Sequence, residues 1–117
     1  MGPEQLDLVF GALADGSRRR MLDVIEARPG ALTREIAEGF EISRIAVMRH
    51  LTVLEAAGLV TSEKVGRARR HYFTAAPIQM VRDEWMARYG SFWSERMADV
   101  KRRLEGDGEQ EAARDVS

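Results

Sequence analysis

Residues 42–60 read ISRIAVMRHLTVLEAAGLV, and this stretch decides the fold. Ser43 stands directly before an apolar-periodic run, where a hydroxyl can accept from one of the first free backbone N–H groups of a helix. Ile42, Ala46, Val47, Leu51 and Leu54 recur at spacings that gather on one helical face, and that face must be buried. The opposite face carries Ser43, Arg44, Ile45, Met48, Arg49 and Thr52, where an ordinary surface helix would show Glu and Lys. Such a face suits DNA base edges and phosphates. Gly58 ends the helix, and the β-branched Val60 and Thr61 turn the chain into an extended segment.

Outward from this helix the punctuation is equally local. A first helix is expected from about Glu4 to Leu13, with Leu6, Val9, Phe10 and Leu13 on one side and Asp15-Gly16 as its break. Asp15 can cap a second helix from about Ser17 to Arg28, which buries Met21, Leu22 and Ile25 and stops at Pro29-Gly30. Thr33 is expected to cap a short third helix through about Gly39, with Ile36, Ala37 and Phe40 inside. Two helices a few residues apart, the second with a polar outer face, make a helix-turn-helix.

Beyond Val60, the residues Thr61, Val65, Tyr72, Phe73 and Thr74 favour strands, and Gly66-Arg67-Ala68-Arg69 interrupts them where a hairpin needs its turn. Pro77 suits a helix first turn, and a long final helix is expected from there to about Leu104, before Gly106 and Gly108. The fold class is therefore mostly α with a small β-hairpin (α+β). It is a winged helix-turn-helix of five helices, with a two-stranded wing between the fourth and fifth. Residues 1–105 are expected to form one domain for DNA binding and dimerisation, and 106–117 an acidic, flexible tail.

Composition fits this outline. A chain of 117 residues supports one domain, able to bury roughly two thirds of its unfolded surface without disulfides. No apolar run is long enough to cross a bilayer and no signal peptide is visible, so a cytoplasmic location without membrane contact is expected. With no cysteine there are no thiolate ligands or thiol nucleophiles. The net charge of −1 argues against nucleic acid, but its distribution does not. Lys64, Arg67, Arg69, Arg70 and His71 crowd one short segment, while Glu105, Asp107, Glu109, Glu111 and Asp115 dominate the C-terminal tail.

Helix-turn-helix plus basic wing, with flanking first and last helices, closely resembles the ArsR-type family of bacterial transcription regulators. The resemblance spans Leu8 to Leu104 and is carried by ALADGSRRRML from Ala12, ISRIAVMRHLTVLEAAGLV from Ile42 and GRARRHY from Gly66. The last helix, with Trp85, Tyr89, Phe92 and Trp93, looks like a branch of that family without the metal site. Two departures stand out. The family often has Gly in the turn before the reading helix, where this chain has Glu41. Either the turn differs here, or a left-handed non-glycine residue costs roughly 1–2 kcal/mol. The founding members also sense metals through cysteines, or through Asp and His on the last helix, and neither arrangement is present here. No metal and no cofactor are expected, and His50 is expected to serve packing or a phosphate contact.

Each candidate site has a functional and a plain reading. Arg44 and Arg49 can read guanine, because a guanidinium fork meets two acceptors on one base edge, or they can be solvated helix charge. Ile45 and Met48 can meet thymine methyl groups or be ordinary surface. Thr33 and Arg34 can bind a phosphate at the start of the third helix, a role compatible with simple capping by Thr33. Arg67, Arg69 and Arg70, with Lys64, repel one another on a short hairpin unless an anion such as the phosphate backbone relieves them. Arg18, Arg19 and Arg20 oppose a helix dipole, and structural pairing is the favoured explanation.

On the last helix Ile78, Val81, Trp85, Tyr89, Phe92, Trp93, Met97, Val100 and Leu104 form a continuous apolar stripe. Ile78 and Val81 suit packing within the chain. Trp85, Tyr89, Phe92, Trp93 and Met97 are expected to meet a second copy, together with Leu6 and Phe10, and the resembling family dimerises through its first and last helices. The expected function is a homodimeric, sequence-specific regulator, a repressor of its own or neighbouring genes acting on a roughly palindromic double-stranded DNA operator. Release by an unidentified small apolar ligand at the dimer interface, by a protein effector or by changing protein concentration stays open. The alternative is a winged helix used only for protein association. An enzyme is not expected, because Ser17, Ser43, His50 and His71 suggest no nucleophile and base pairing.

Overall fold

The computed structural model describes the backbone of residues 1–116 and the side chains of residues 1–90 and 95–106. Among the described residues the order is α1 (Pro3–Leu13), α2 (Gly16–Ala27), β1 (Ala31–Leu32), α3 (Thr33–Glu38), α4 (Arg44–Ala56), β2 (Val60–Val65), β3 (Ala68–Phe73) and α5 (Ala76–Val116). The chain divides into two compact units, Met1–Val81 and the rest of α5 from Arg82 onward. The first unit is a winged helix-turn-helix.

Its helices begin and end for local reasons. The Asp15 carboxylate accepts from the Arg18 N–H at 3.0 Å and so caps α2. That hydrogen bond is the largest influence holding the Asp15 carboxyl below its ordinary pKa. Ser43 Oγ accepts from the Ala46 N–H at 3.1 Å and starts α4 as the sequence predicts. At the other end Gly58 takes φ +76°, with Gly58 N–H donating to Glu55 at 2.9 Å and Leu59 N–H to Leu54 at 3.0 Å. This paired pattern is the Schellman arrangement, and only glycine enters it without strain. It also turns Leu59 back so that Leu54 and Leu59 are both fully buried, which stabilises by roughly 1.5–3 kcal/mol for each side chain.

The core gathers Val9, Met21, Ile25, Ile36, Val47, Leu51, Leu54, Leu59 and Val60, with Leu13, Phe40, Ile78 and Val81 packed around it. Ile42 departs from expectation. It precedes the N-cap, lies outside the helical repeat and is exposed. Leu6 is partly buried and Phe10 exposed, while Val9 between them is wholly buried. Glu41 carries no left-handed strain, because no described non-glycine residue has positive φ. The turn into α4 therefore differs from the glycine-containing one.

The wing is larger than a two-stranded hairpin. β1 pairs antiparallel with β3 through Ala31↔His71 and Leu32↔Arg70, giving the strand order β1-β3-β2. The loop itself is shorter than expected. Val65 pairs with Ala68, so only Gly66 and Arg67 turn, and Gly66 supplies the positive φ of 63°. A two-residue loop with glycine first matches the twist of the flanking strands. Ala68 and Arg69 consequently belong to β3 rather than to the turn.

The second unit is helical throughout its described backbone. α5 continues past Gly106 to Val116 instead of ending near Leu104. Glycine costs about 1 kcal/mol inside a helix relative to alanine, a penalty that the surrounding Glu, Gln, Ala and Arg can offset. Trp85 and Tyr89 stack at 5.0 Å between ring centroids, and Met86, Met97 and Leu104 are exposed. Phe92 and Trp93, also placed on the apolar stripe, lie outside the described side chains. Among the described residues no helix is long and apolar enough to cross a membrane.

Candidate nucleic-acid interface

Three arginines adjoin the start of α2, and the structure gives each a partner. Arg18 donates from Nε to the Ala12 carbonyl at 2.9 Å and from Nη2 to the Gly11 carbonyl at 3.0 Å. Its Nη1 lies 3.3 Å from His50 Nδ1 on α4. One guanidinium thus bonds to carbonyls at the end of α1 and ties α1 and α2 to α4. Arg19 donates to the Leu13 carbonyl, and Arg20 lies over the Phe40 ring at 5.2 Å. All three act within the fold, and His50 is half-buried against Arg18.

Strand alternation then sorts the charges of the wing. Lys64 and Arg69 are cross-strand partners on one face, whereas Glu63 and Arg70 are partners on the other. Opposite charges attract in the second pair, and Arg70 is fixed further by donating to the Gly30 carbonyl at 3.0 Å. Like charges repel in the first pair. Arg69 donates to Ser62 Oγ at 3.0 Å, and none of the ion pairs among the described residues involves it.

That face meets α3 and α4. A hollow of about 430 Å³ is lined by Leu32, Thr33, Arg34, Arg44, Met48, Arg67, Ala68 and Arg69. Four arginines, from α3, α4, the wing turn and β3, line it, and none of its described lining residues is acidic. A hollow of about 800 Å³ elsewhere in the first unit contrasts with it: there Asp15 and Asp23 balance Arg19 and Arg20 over Leu13, Leu22, Phe73 and Ile78.

Of the residues singled out in the sequence, Thr33, Arg34, Arg44, Met48, Arg67 and Arg69 share this hollow. Ser43 is occupied as the cap of α4. Ile45, Arg49, Thr52 and Lys64 are exposed but do not line the hollow, and Thr52 donates to the Met48 carbonyl along the helix at 3.0 Å. Arg70 points away with Arg34, Glu35 and Glu38 in another hollow. Thr33 is not the cap of α3: Leu32 holds that position, and Glu35 reaches back to the Leu32 N–H at 2.9 Å. The Thr33 hydroxyl instead bonds to His71 Nε2 at 2.9 Å.

His71 itself is a correction. Within a run of arginines it reads as part of the basic exposed wing, yet it is only 2% exposed, on the same strand face as Arg69. Burial is the largest influence lowering its pKa below the ordinary imidazole value, Glu55 opposes that shift and Arg69 adds to it. The signal in the sequence was its two-residue spacing from Arg69, combined with its place opposite β1, which the sequence did not reveal.

The fold is shared with known proteins. A helix-turn-helix domain model matches residues 13–63. The uncharacterized HTH-type transcriptional regulator YuzN of Bacillus subtilis (strain 168) is 35% identical over 86 residues, which span 68% of this chain and 94% of that protein. The solved structure of an ArsR-like transcriptional regulator from Rhodococcus sp. RHA1 is similar at a TM-score of 0.71 and 33% identity, over 88% of this chain and 93% of that one. The homodimeric winged helix-turn-helix DNA-binding domain Mb0332 from Mycobacterium bovis, a possible ArsR-family regulator, matches at a TM-score of 0.56 and 26% identity, over 71% and 82% of the two chains. With its helix-turn-helix, three-stranded wing and these likenesses, the chain belongs to the ArsR-type family of winged helix-turn-helix transcriptional regulators.

Proposed function

We propose that this protein is a homodimeric, sequence-specific DNA-binding repressor of its own or neighbouring genes. One observation carries the reading: Arg34, Arg44, Arg67 and Arg69 converge on a single hollow without an acidic lining residue. Four like charges held together cost free energy unless an anion joins them, and a DNA phosphate backbone supplies anions at regular spacing. α4 offers the shape for a major groove. Arg44 sits in its first turn beside exposed Ile45 and Met48, so base edges meet a guanidinium fork and thymine methyls meet apolar side chains. Arg49 and Thr52 extend the same face. Arg67, Arg69 and Lys64 hold flanking phosphates or a narrow minor groove.

Two-fold pairing is supported by the exposed apolar residues of α5, among them Tyr89 and Met97, and the structurally similar Mb0332 domain is homodimeric. A dimer places two reading helices on a roughly palindromic operator and occludes a promoter that overlaps it. The test is competition. The purified protein is titrated onto DNA from upstream of its own coding sequence against excess scrambled duplex of equal length. Retention of the upstream DNA is the expected result. Equal displacement by the scrambled duplex would leave only non-specific binding, and no binding at all would favour a winged helix that docks on an acidic protein.

A further inference from the structure

Thr33 stands between two hollows. It lines the arginine-rich one, and it also lines a second of about 280 Å³ shared with Met48, Leu51, Thr52, Glu55, Arg69 and His71. The hydroxyl of Thr33 and Nε2 of His71 are 2.9 Å apart, and Nδ1 of His71 is buried without a hydrogen-bond partner. These two facts select a tautomer. If the proton sat on Nδ1, the buried orphan would be an N–H donor, the kind of group that folded proteins almost never leave unpaired. If it sits on Nε2, the orphan is a lone pair, which is tolerated more often, and Nε2–H donates to Thr33 Oγ1. A hydroxyl has one proton and two lone pairs. Once its oxygen accepts from His71, its proton is free to be donated elsewhere, and Thr33 lines the hollow where Arg34, Arg44, Arg67 and Arg69 gather.

We propose that His71 is a positioning residue for DNA binding: its Nε2–H holds the Thr33 hydroxyl as a donor aimed at a DNA phosphate in the arginine-rich hollow. The proposal rests on the DNA-binding reading above. It also explains the interior placement of a polar ring on a strand. β3 carries Arg69 toward the phosphate and, two residues later on the same face, the imidazole that orients the neighbouring donor. The wing and the start of α3 are thereby joined in one phosphate clamp, by a side-chain hydrogen bond as well as by the β1–β3 pairing. The other charged groups near the ring are Glu55 on α4 and Arg69 on β3.

Two measurements test it. Long-range 1H–15N correlation spectra of the unmutated protein without DNA, at pH 7.5, report which ring nitrogen of His71 is protonated. An Nε2–H tautomer is expected, and an Nδ1–H tautomer overturns the proposal whatever the protein does with DNA. The second measurement is a double-mutant cycle on affinity for the upstream duplex, with circular dichroism to verify folding. Thr33→Val and His71→Leu should each weaken binding about tenfold, the scale of one hydrogen bond to a charged group. The double variant should be no weaker than either single one. His71→Gln, whose amide nitrogen falls near the place of Nε2, should restore most of the affinity, whereas a merely structural role would give no coupling to the Thr33 hydroxyl. Multiplying losses, or a Gln variant as weak as the Leu variant, overturn the proposal. Failure of the unmutated protein to bind the duplex defeats the DNA reading itself, and that appears before any variant is made.

Discussion

Replacing Tyr89 by glutamate is expected to convert the dimer into a monomer and to lower operator affinity by roughly two to four orders of magnitude, the usual range of gain from tethering two sites. Tyr89 stacks on Trp85 at 5.0 Å, within a helix whose Met86, Met97 and Leu104 are also exposed. A water-facing stripe of that composition is costly to leave uncovered, and a second copy covers it symmetrically. A carboxylate buried at such a contact would have no partner, so the pair separates rather than desolvate it. Each monomer then meets one half-site, and its reading helix loses the raised local concentration that the partner provided. The core of the first unit, built on Val9, Met21, Ile25 and Leu54, is untouched, so the variant should stay folded. Sedimentation velocity with parallel DNA titrations decides the matter. A Tyr89→Glu protein that remains dimeric with full affinity would move the interface elsewhere.

Arg44→Ala and Arg69→Ala should separate reading from holding. Arg44 lies in the first turn of α4, the end of a recognition helix that enters a groove, and its loss should cost about 1–3 kcal/mol, mostly on the preferred sequence. Discrimination between operator and scrambled DNA should shrink accordingly. Arg69, opposite Lys64 and bonded to Ser62, belongs to the wing and should serve phosphates. Its removal should weaken all duplexes alike and reduce the slope of log affinity against log salt by about one. Salt titrations of both variants on both duplexes give the four numbers required. Arg44→Ala with unchanged discrimination would remove α4 from the role of reader.

Much of this molecule was legible because its signals are local. Ser43 caps α4, Asp15 caps α2 and Gly58 takes the left-handed turn, each in accordance with residues within a few positions. What the sequence hid is mostly non-local. β1 has two residues and no alternation to betray it, and it exists because β3 offers an edge. His71 looked exposed because the charges around it are, yet pairing with Ala31 turned it inward beside Thr33. Of Arg18, Arg19 and Arg20, only Arg18 has an acidic partner among the ion pairs of the described residues, Asp15 at 3.8 Å, and carbonyls at the end of α1 and an aromatic ring serve the three as well. In the candidate interface the residue types were readable, but not their grouping. Arg69 and Arg70 are adjacent in sequence and face opposite sides of the sheet.

The central claim is that two copies of α4 read a two-fold-related DNA site. Hydroxyl-radical footprinting of the unmutated protein on DNA upstream of its own coding sequence addresses it directly. Two protected half-sites of opposite orientation are predicted, with centres separated by one helical turn, about 10–10.5 base pairs, or a multiple of it. Uniform coating of the fragment, or a single protected patch without a two-fold-related mate, would contradict the account.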